Sequence, residues 1–255
     1  MRTALLGLVF TVAFSGTLSA QAAAPSIAAQ RANQHYAQGW SQIRAGEWDA
    51  AVREFQWAIS SDPKFALAYY SLGRAHMGRR DFAQAITAYL RSRDLFANAG
   101  SEQFTNLIEQ RQRLTDRIFE YQTALNQARA RTPAASNSQS QSVYIRDLQA
   151  AITRLEQARD RATSFTMDSS VPYFVPMALG AAYFRSGQFA DAEREYKEAI
   201  AANAASGETH NNLAVLYLTT GRYDEAESAV RAAEKVGFKV NENLKSDIKK
   251  KKAGG

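Results

Sequence analysis

A spacing of 34 residues runs through this chain and limits what it can fold into. It joins Gly39 to Gly73, Ala51 to Ala85, Trp48 to Phe82 and Phe55 to Tyr89. The same offset joins Leu179 to Leu213, Tyr183 to Tyr217, Gly187 to Gly221, Phe189 to Tyr223 and Ala192 to Ala226. A fixed period of this length marks units that cannot bury their apolar faces alone and must stack in line. Four copies follow, at 32–65, 66–99, 173–206 and 207–240.

Each recurring residue has a physical task. Gly46, Gly187 and Gly221 fall where one helix turns back on the next, a place for positive φ. Arg80 holds that place in the second copy, which predicts a less regular turn there. Ala51, Ala85, Ala192 and Ala226 mark the close crossing of paired helices, and Trp48, Phe82, Phe189 and Tyr223 fill the space beside it. Asp62-Pro63 closes the first copy, because proline cannot continue a helix. The clearest copies read LGAAYFRSGQFADAEREYKEA (179–199) and LAVLYLTTGRYDEAESAVRAA (213–233). This period and residue set resemble the tetratricopeptide repeat (TPR). The resemblance implies an all-α helical solenoid, here two repeat pairs (23–99 and 173–240) interrupted by an insert.

The insert, 100–172, is about two repeat lengths long and lacks the motif. Gly100-Ser101 reads as a helix stop followed by a cap. Phe104, Leu107, Arg111, Leu114, Ile118, Tyr121, Leu125 and Ala128 then recur at heptad spacing. Residues 132–142 lack periodicity and read as a polar turn. A second seam follows at Tyr144, Leu148, Ala151, Leu155, Ala158, Ala162 and Phe165. The pattern predicts a long antiparallel helical hairpin. Its first helix would be roughly 45 Å long, against roughly 20 Å for a repeat helix. Two isolated repeat pairs are marginal, so the favoured arrangement stacks the hairpin base between them as an enlarged fifth unit. The alternative is a coiled-coil arm hanging between two small bundles.

The ends carry other signals. Arg2, the apolar run Ala4 to Phe14 and the small-residue site Ala20-Gln21-Ala22 describe a secretory leader over 1–22, cleaved after Ala22. That places the chain in the periplasm or outside the cell. At the other end, 241–255, Asn241 reads as a cap and Leu244 and Ile248 as one face of a short closing helix. The net charge is +6, but the tail lysines and Arg2 supply most of it, which leaves the body nearly neutral. Nucleic acid is therefore not an expected partner. Contact of the insert hairpin and Lys249 to Lys252 with anionic lipid or cell-wall polymer is the rival to a protein partner.

Chemistry is absent from the motifs. The chain has no cysteine, and its three histidines are scattered without ligand spacing. His76 occupies a repeat position usually held by tyrosine and reads as packing. No P-loop, G-x-S-x-G or G-x-G-x-x-G occurs, so no catalytic residue, metal or cofactor is expected. The resemblance instead implies a concave groove for an extended or helical peptide. It is lined at the second, fifth, sixth, ninth, twelfth and thirteenth positions of each repeat. The candidates are Tyr36, Trp40 and Arg44, then Tyr70, Arg74 and Met77, then Met177, Phe184 and Arg185, then Asn211, Asn212 and Leu218. Aromatic and arginine side chains together suit a peptide with apolar anchors and carboxylates. Trp57 falls where an exposed polar residue is usual; left exposed it would mark a second contact surface, and the segment around Ile27 is the candidate to cover it.

Overall fold

The structure is a computed structural model that describes residues 24–102, 104, 106–130, 138–161 and 170–253. The expected leader, residues 132–137 of the expected turn, and Ala162 and Phe165 of the second seam lie outside the described residues. Among those described, every regular element is helical. The helices are α1 (Ile27–Ala45), α2 (Trp48–Ser61), α3 (Ala66–Gly78), α4 (Phe82–Ala97), α5 (Leu107–Arg129), α6 (Ser138–Asp160), α7 (Phe174–Arg185), α8 (Phe189–Ala202), α9 (Gly207–Thr219), α10 (Tyr223–Lys235) and α11 (Glu242–Ala253).

The repeats pair α1 with α2, α3 with α4, α7 with α8 and α9 with α10. The four crossing alanines, Ala51, Ala85, Ala192 and Ala226, have no exposed surface. Space at the crossings is tight enough that a methyl group on Gly73 would lie 2.5 Å from the Tyr89 ring. The turn at Arg80 is regular, contrary to the expectation. Arg80 takes φ 62°, beside 78° at Gly46, and the Asp81 amide donates to the His76 carbonyl at 2.9 Å, as Glu47 does to Gln42. The left-handed backbone costs a non-glycine residue about 1–2 kcal/mol. The packing of α3 on α4 imposes that conformation regardless of the residue. His76 is buried, as a packing role requires.

The hairpin does not intervene in the stack. Helix α4 packs directly on α7, as α2 packs on α3 and α8 on α9. Phe174, the first residue of α7, sets its ring 4.9 Å from Tyr70 and 6.3 Å from Phe96. One core therefore runs unbroken from α1 to α7, a second runs from α8 to α11, and Tyr183 packs against both. Four repeats in register supply enough stacked apolar surface without a fifth unit.

Helices α5 and α6 of the insert pack on one another. Leu114 clusters with Leu155 and Ala158 at one end, and Gln141 donates to the Ala128 carbonyl at 2.7 Å near the other. Helix α5 has 23 residues, roughly 35 Å, and is shorter than the sequence implied. Asn106, not Ser101, caps it, accepting from the Glu109 amide at 2.9 Å, while Ala99–Ser101 make a separate 3-10 turn. Residues 138–142 continue α6 instead of the turn. Of the first seam, Leu114, Ile118, Leu125 and Ala128 are buried, but Leu107 and Arg111 are exposed.

Polar contacts dock α5 against the first repeat. Asp116 accepts from the Ser26 amide at 2.7 Å, Arg113 reaches Asp62 at 3.2 Å, and Arg44 donates to Gln127 at 2.9 Å. At the far end α11 packs on α10. Val240 and Ile248 are buried and Asn241 accepts from the Asn243 amide at 2.8 Å. Trp57 is exposed, and its ring lies 5.4 Å from His35 and does not use Ile27, itself exposed.

Candidate functional site

Helices α1, α3, α7 and α9 are the first helices of their repeats, and their inner faces bring side chains from all four repeats into one cleft of 270 Å³. Five expected residues meet there: Tyr70, Arg74, Met77, Met177 and Asn212. Ile43, Trp48, Gly78, Tyr89, Ala178, Ala181 and Glu208 complete the walls. Ile43, Gly78, Ala178, Ala181 and Glu208 all occupy the groove spacing stated above, so the positional rule locates them. They go unnamed when only three residues of each repeat are singled out. Trp48 has a double use, since its ring both covers Gly78 and faces the cleft.

The remaining expected residues lie elsewhere. Tyr36 and Trp40 are buried, at 0% and 3% exposure, and form core instead of groove surface. The Tyr36 ring lies 4.9 Å from Phe65 and 5.8 Å from Phe55, and Trp40 meets Phe55 edge-on. Tyr70 is also mostly buried, with Tyr89 and Phe174 against it, and only its edge reaches the cleft. The hairpin helps cover this end of the inner face. Tyr144 of α6 sets its ring 5.0 Å from Phe174 and packs on the core that holds Tyr36 and Tyr70. Arg44 is exposed and engaged by Gln127. Phe184 packs on Phe189 at 5.6 Å, Leu218 packs on the second core, Arg185 is exposed at the end of α7, and Asn211 is half-buried beside Asn212.

Arg74 is the cation of the cleft. Its guanidinium sits 4.9 Å from the Trp40 ring. Burial pulls its proton affinity down, but Tyr70, Tyr89, Tyr144 and Tyr36 around it more than offset that, so it stays charged. Burial likewise pushes the Tyr89 and Tyr144 hydroxyls up, and they remain neutral at any physiological pH. Glu208 lies in the first turn of α9, where the helix N-terminus favours a carboxylate. Among the described residues no cluster of histidine and carboxylate groups is placed to hold a metal ion, and no helix is long and apolar enough to cross a membrane. A larger cavity of 680 Å³ lies between α6 and the start of α7. Arg161 and Ser170 border it, at the two ends of a segment outside the described residues.

The family model described as "Tetratricopeptide repeat" matches residues 36–100 and 177–237. No curated protein matches the chain in sequence. Among solved structures, TTC0263, a thermophilic TPR protein in Thermus thermophilus, is 18% identical over 86% of this chain and 98% of its own, with a TM-score of 0.36. MamA is 15% identical over 78% of this chain and 93% of its own, with a TM-score of 0.26. A structure titled MamA AMB-1 is 17% identical over 81% and 99%, again with a TM-score of 0.26. The two matched segments coincide with the two pairs of stacked helical repeats, and the chain belongs to the tetratricopeptide repeat family.

Proposed function

We propose that this chain is a non-enzymatic scaffold that holds a peptide segment or partner subunit in the cleft of its inner helices. The observation that carries the reading is the contribution of all four repeats to one accessible cleft, with Arg74, Asn212 and Glu208 set among apolar walls. Few polar groups placed on a mainly apolar surface are what orient a bound segment. The leader signals in 1–22 put the work outside the cytoplasm, in envelope biogenesis, secretion or assembly of a surface complex. The rival reading through the basic tail has less support. Lys252 is held by Asp224 at 2.6 Å and Glu227 at 2.9 Å, and Lys245 by Glu234 at 3.0 Å, so part of that charge is neutralised by the solenoid.

The test is capture from an envelope extract by the leaderless chain and by Ala181→Trp, which fills the cleft from α7. Loss of specific captured proteins with the variant supports the groove. An unchanged set overturns it. Parallel sedimentation with anionic liposomes, with and without residues 241–255, supports the tail reading if binding follows the tail.

A further inference from the structure

We infer that the segment held in this cleft carries opposite charges at its two ends: a carboxylate at Arg74 and a basic side chain at Glu208, with an apolar stretch between. This rests on the groove reading above and adds the partner's chemistry. Arg74 stands on α3 and Glu208 on α9, and α7 lies between them. Among the described residues neither group has an ion-pair partner, although both line the same cleft. Arg74 is half-buried, and its nearest companions are aromatic rings, not carboxylates. A partly buried charge without a counter-ion gains a charge-assisted hydrogen bond from an incoming group of opposite sign.

The α7 wall between the two charges consists of Met177, Ala178 and Ala181. Two alanines let a backbone approach closely, and a methionine adapts to varied apolar side chains. Asn212 lies one turn beyond Glu208 on α9 and can both donate to and accept from a peptide unit. Neighbouring helices pack about 8–10 Å apart, so α3 and α9 stand roughly 16–20 Å apart across α7. An extended chain covers that span in about five or six residues at about 3.3 Å each. The two charges also fix direction, because a reversed segment would set like charges together at both ends.

The experiment is selection of random displayed peptides of about eight residues on the leaderless chain, repeated on Glu208→Lys, Arg74→Glu and Ala181→Trp. The expected result is enrichment, by about tenfold or more, of an acidic and a basic residue about five apart in one order. Glu208→Lys should replace the selected basic residue with an acidic one and leave the other end unchanged. Arg74 packs over Trp40, so Arg74→Glu counts only if its helical circular dichroism is retained; the half-exposed Glu208 supplies the variant that does not depend on that. A consensus without this charge spacing, a consensus unmoved by Glu208→Lys, or no enrichment at all overturns the inference. The groove reading fails separately, if Ala181→Trp selects the same peptides as the parent chain.

Discussion

Glu120 is a buried carboxylate of α5 held by Arg113, the residue that also reaches Asp62 of the first repeat. Its side chain is 1% exposed, with Arg113 at 3.3 Å and Arg117 at 3.6 Å. Burial pushes its carboxyl up to about 8, and Arg117 and Arg113 only partly counter that. The folded chain therefore binds this proton more tightly than the unfolded chain does. The associated stability is full below the ordinary carboxyl range and is lost as pH rises through about 8. Glutamine imitates the protonated form. Glu120→Gln should melt like the parent near pH 5 and above it at pH 9, with a flatter profile between. Parallel melting curves for parent and variant across that range would refute the assignment.

At the scale of elements, the hairpin acts as a cover and not as a layer of the stack. Helix α4 already meets α7, so α5 and α6 are free to lie against the inner side of the first repeat. Tyr144, beside the more deeply buried Leu148 and Ile152 of α6, packs on Phe174. Tyr144→Ala should cost about 2–4 kcal/mol, since it leaves a cavity beneath the cover. Hydrogen exchange should quicken in α6 and α5, while α3, α4 and α7 keep their protection. Equal loss of protection in α4 and α7 would mean that the stack does depend on the hairpin. The two heptad seams made the helix pair legible, because a sustained apolar stripe demands a partner. Where the pair docks was not legible. Docking rests on contacts far apart in sequence, such as Asp116 with Ser26 and Arg113 with Asp62.

Across the whole molecule the solenoid has two unlike ends. The first repeat is flanked by α5, and the last is closed by α11 through Val240 and Ile248. Because each repeat contacts only its neighbours, damage at one end should stay local. Ile248→Asp should undock α11 at a cost of about 2–4 kcal/mol. The melting midpoint should fall by roughly 4–16 °C at about 2–4 °C per kcal/mol. Amide protection should be lost in α11 and α10 and retained in α1 to α4. A uniform loss along the chain would contradict a nearest-neighbour stack.

The repeat period determined the helix pairs, their alanine crossings and their glycine turns, because these are local demands that recur every 34 residues; the groove spacing came with the family resemblance that the period carries. It also marked Arg74, Met77, Met177 and Asn212 as inner-face residues, and the cleft contains them. Tertiary structure alone decided which groove positions stay open. Tyr36 and Trp40 obey the same spacing as Arg74, yet the core covers them. Arg80 makes the complementary point, for it accepts a glycine's backbone because the helices on either side leave it no other. Periodicity states which way a side chain faces along its own helix. Only the long-range packing of the insert and of the neighbouring repeats states what it meets there.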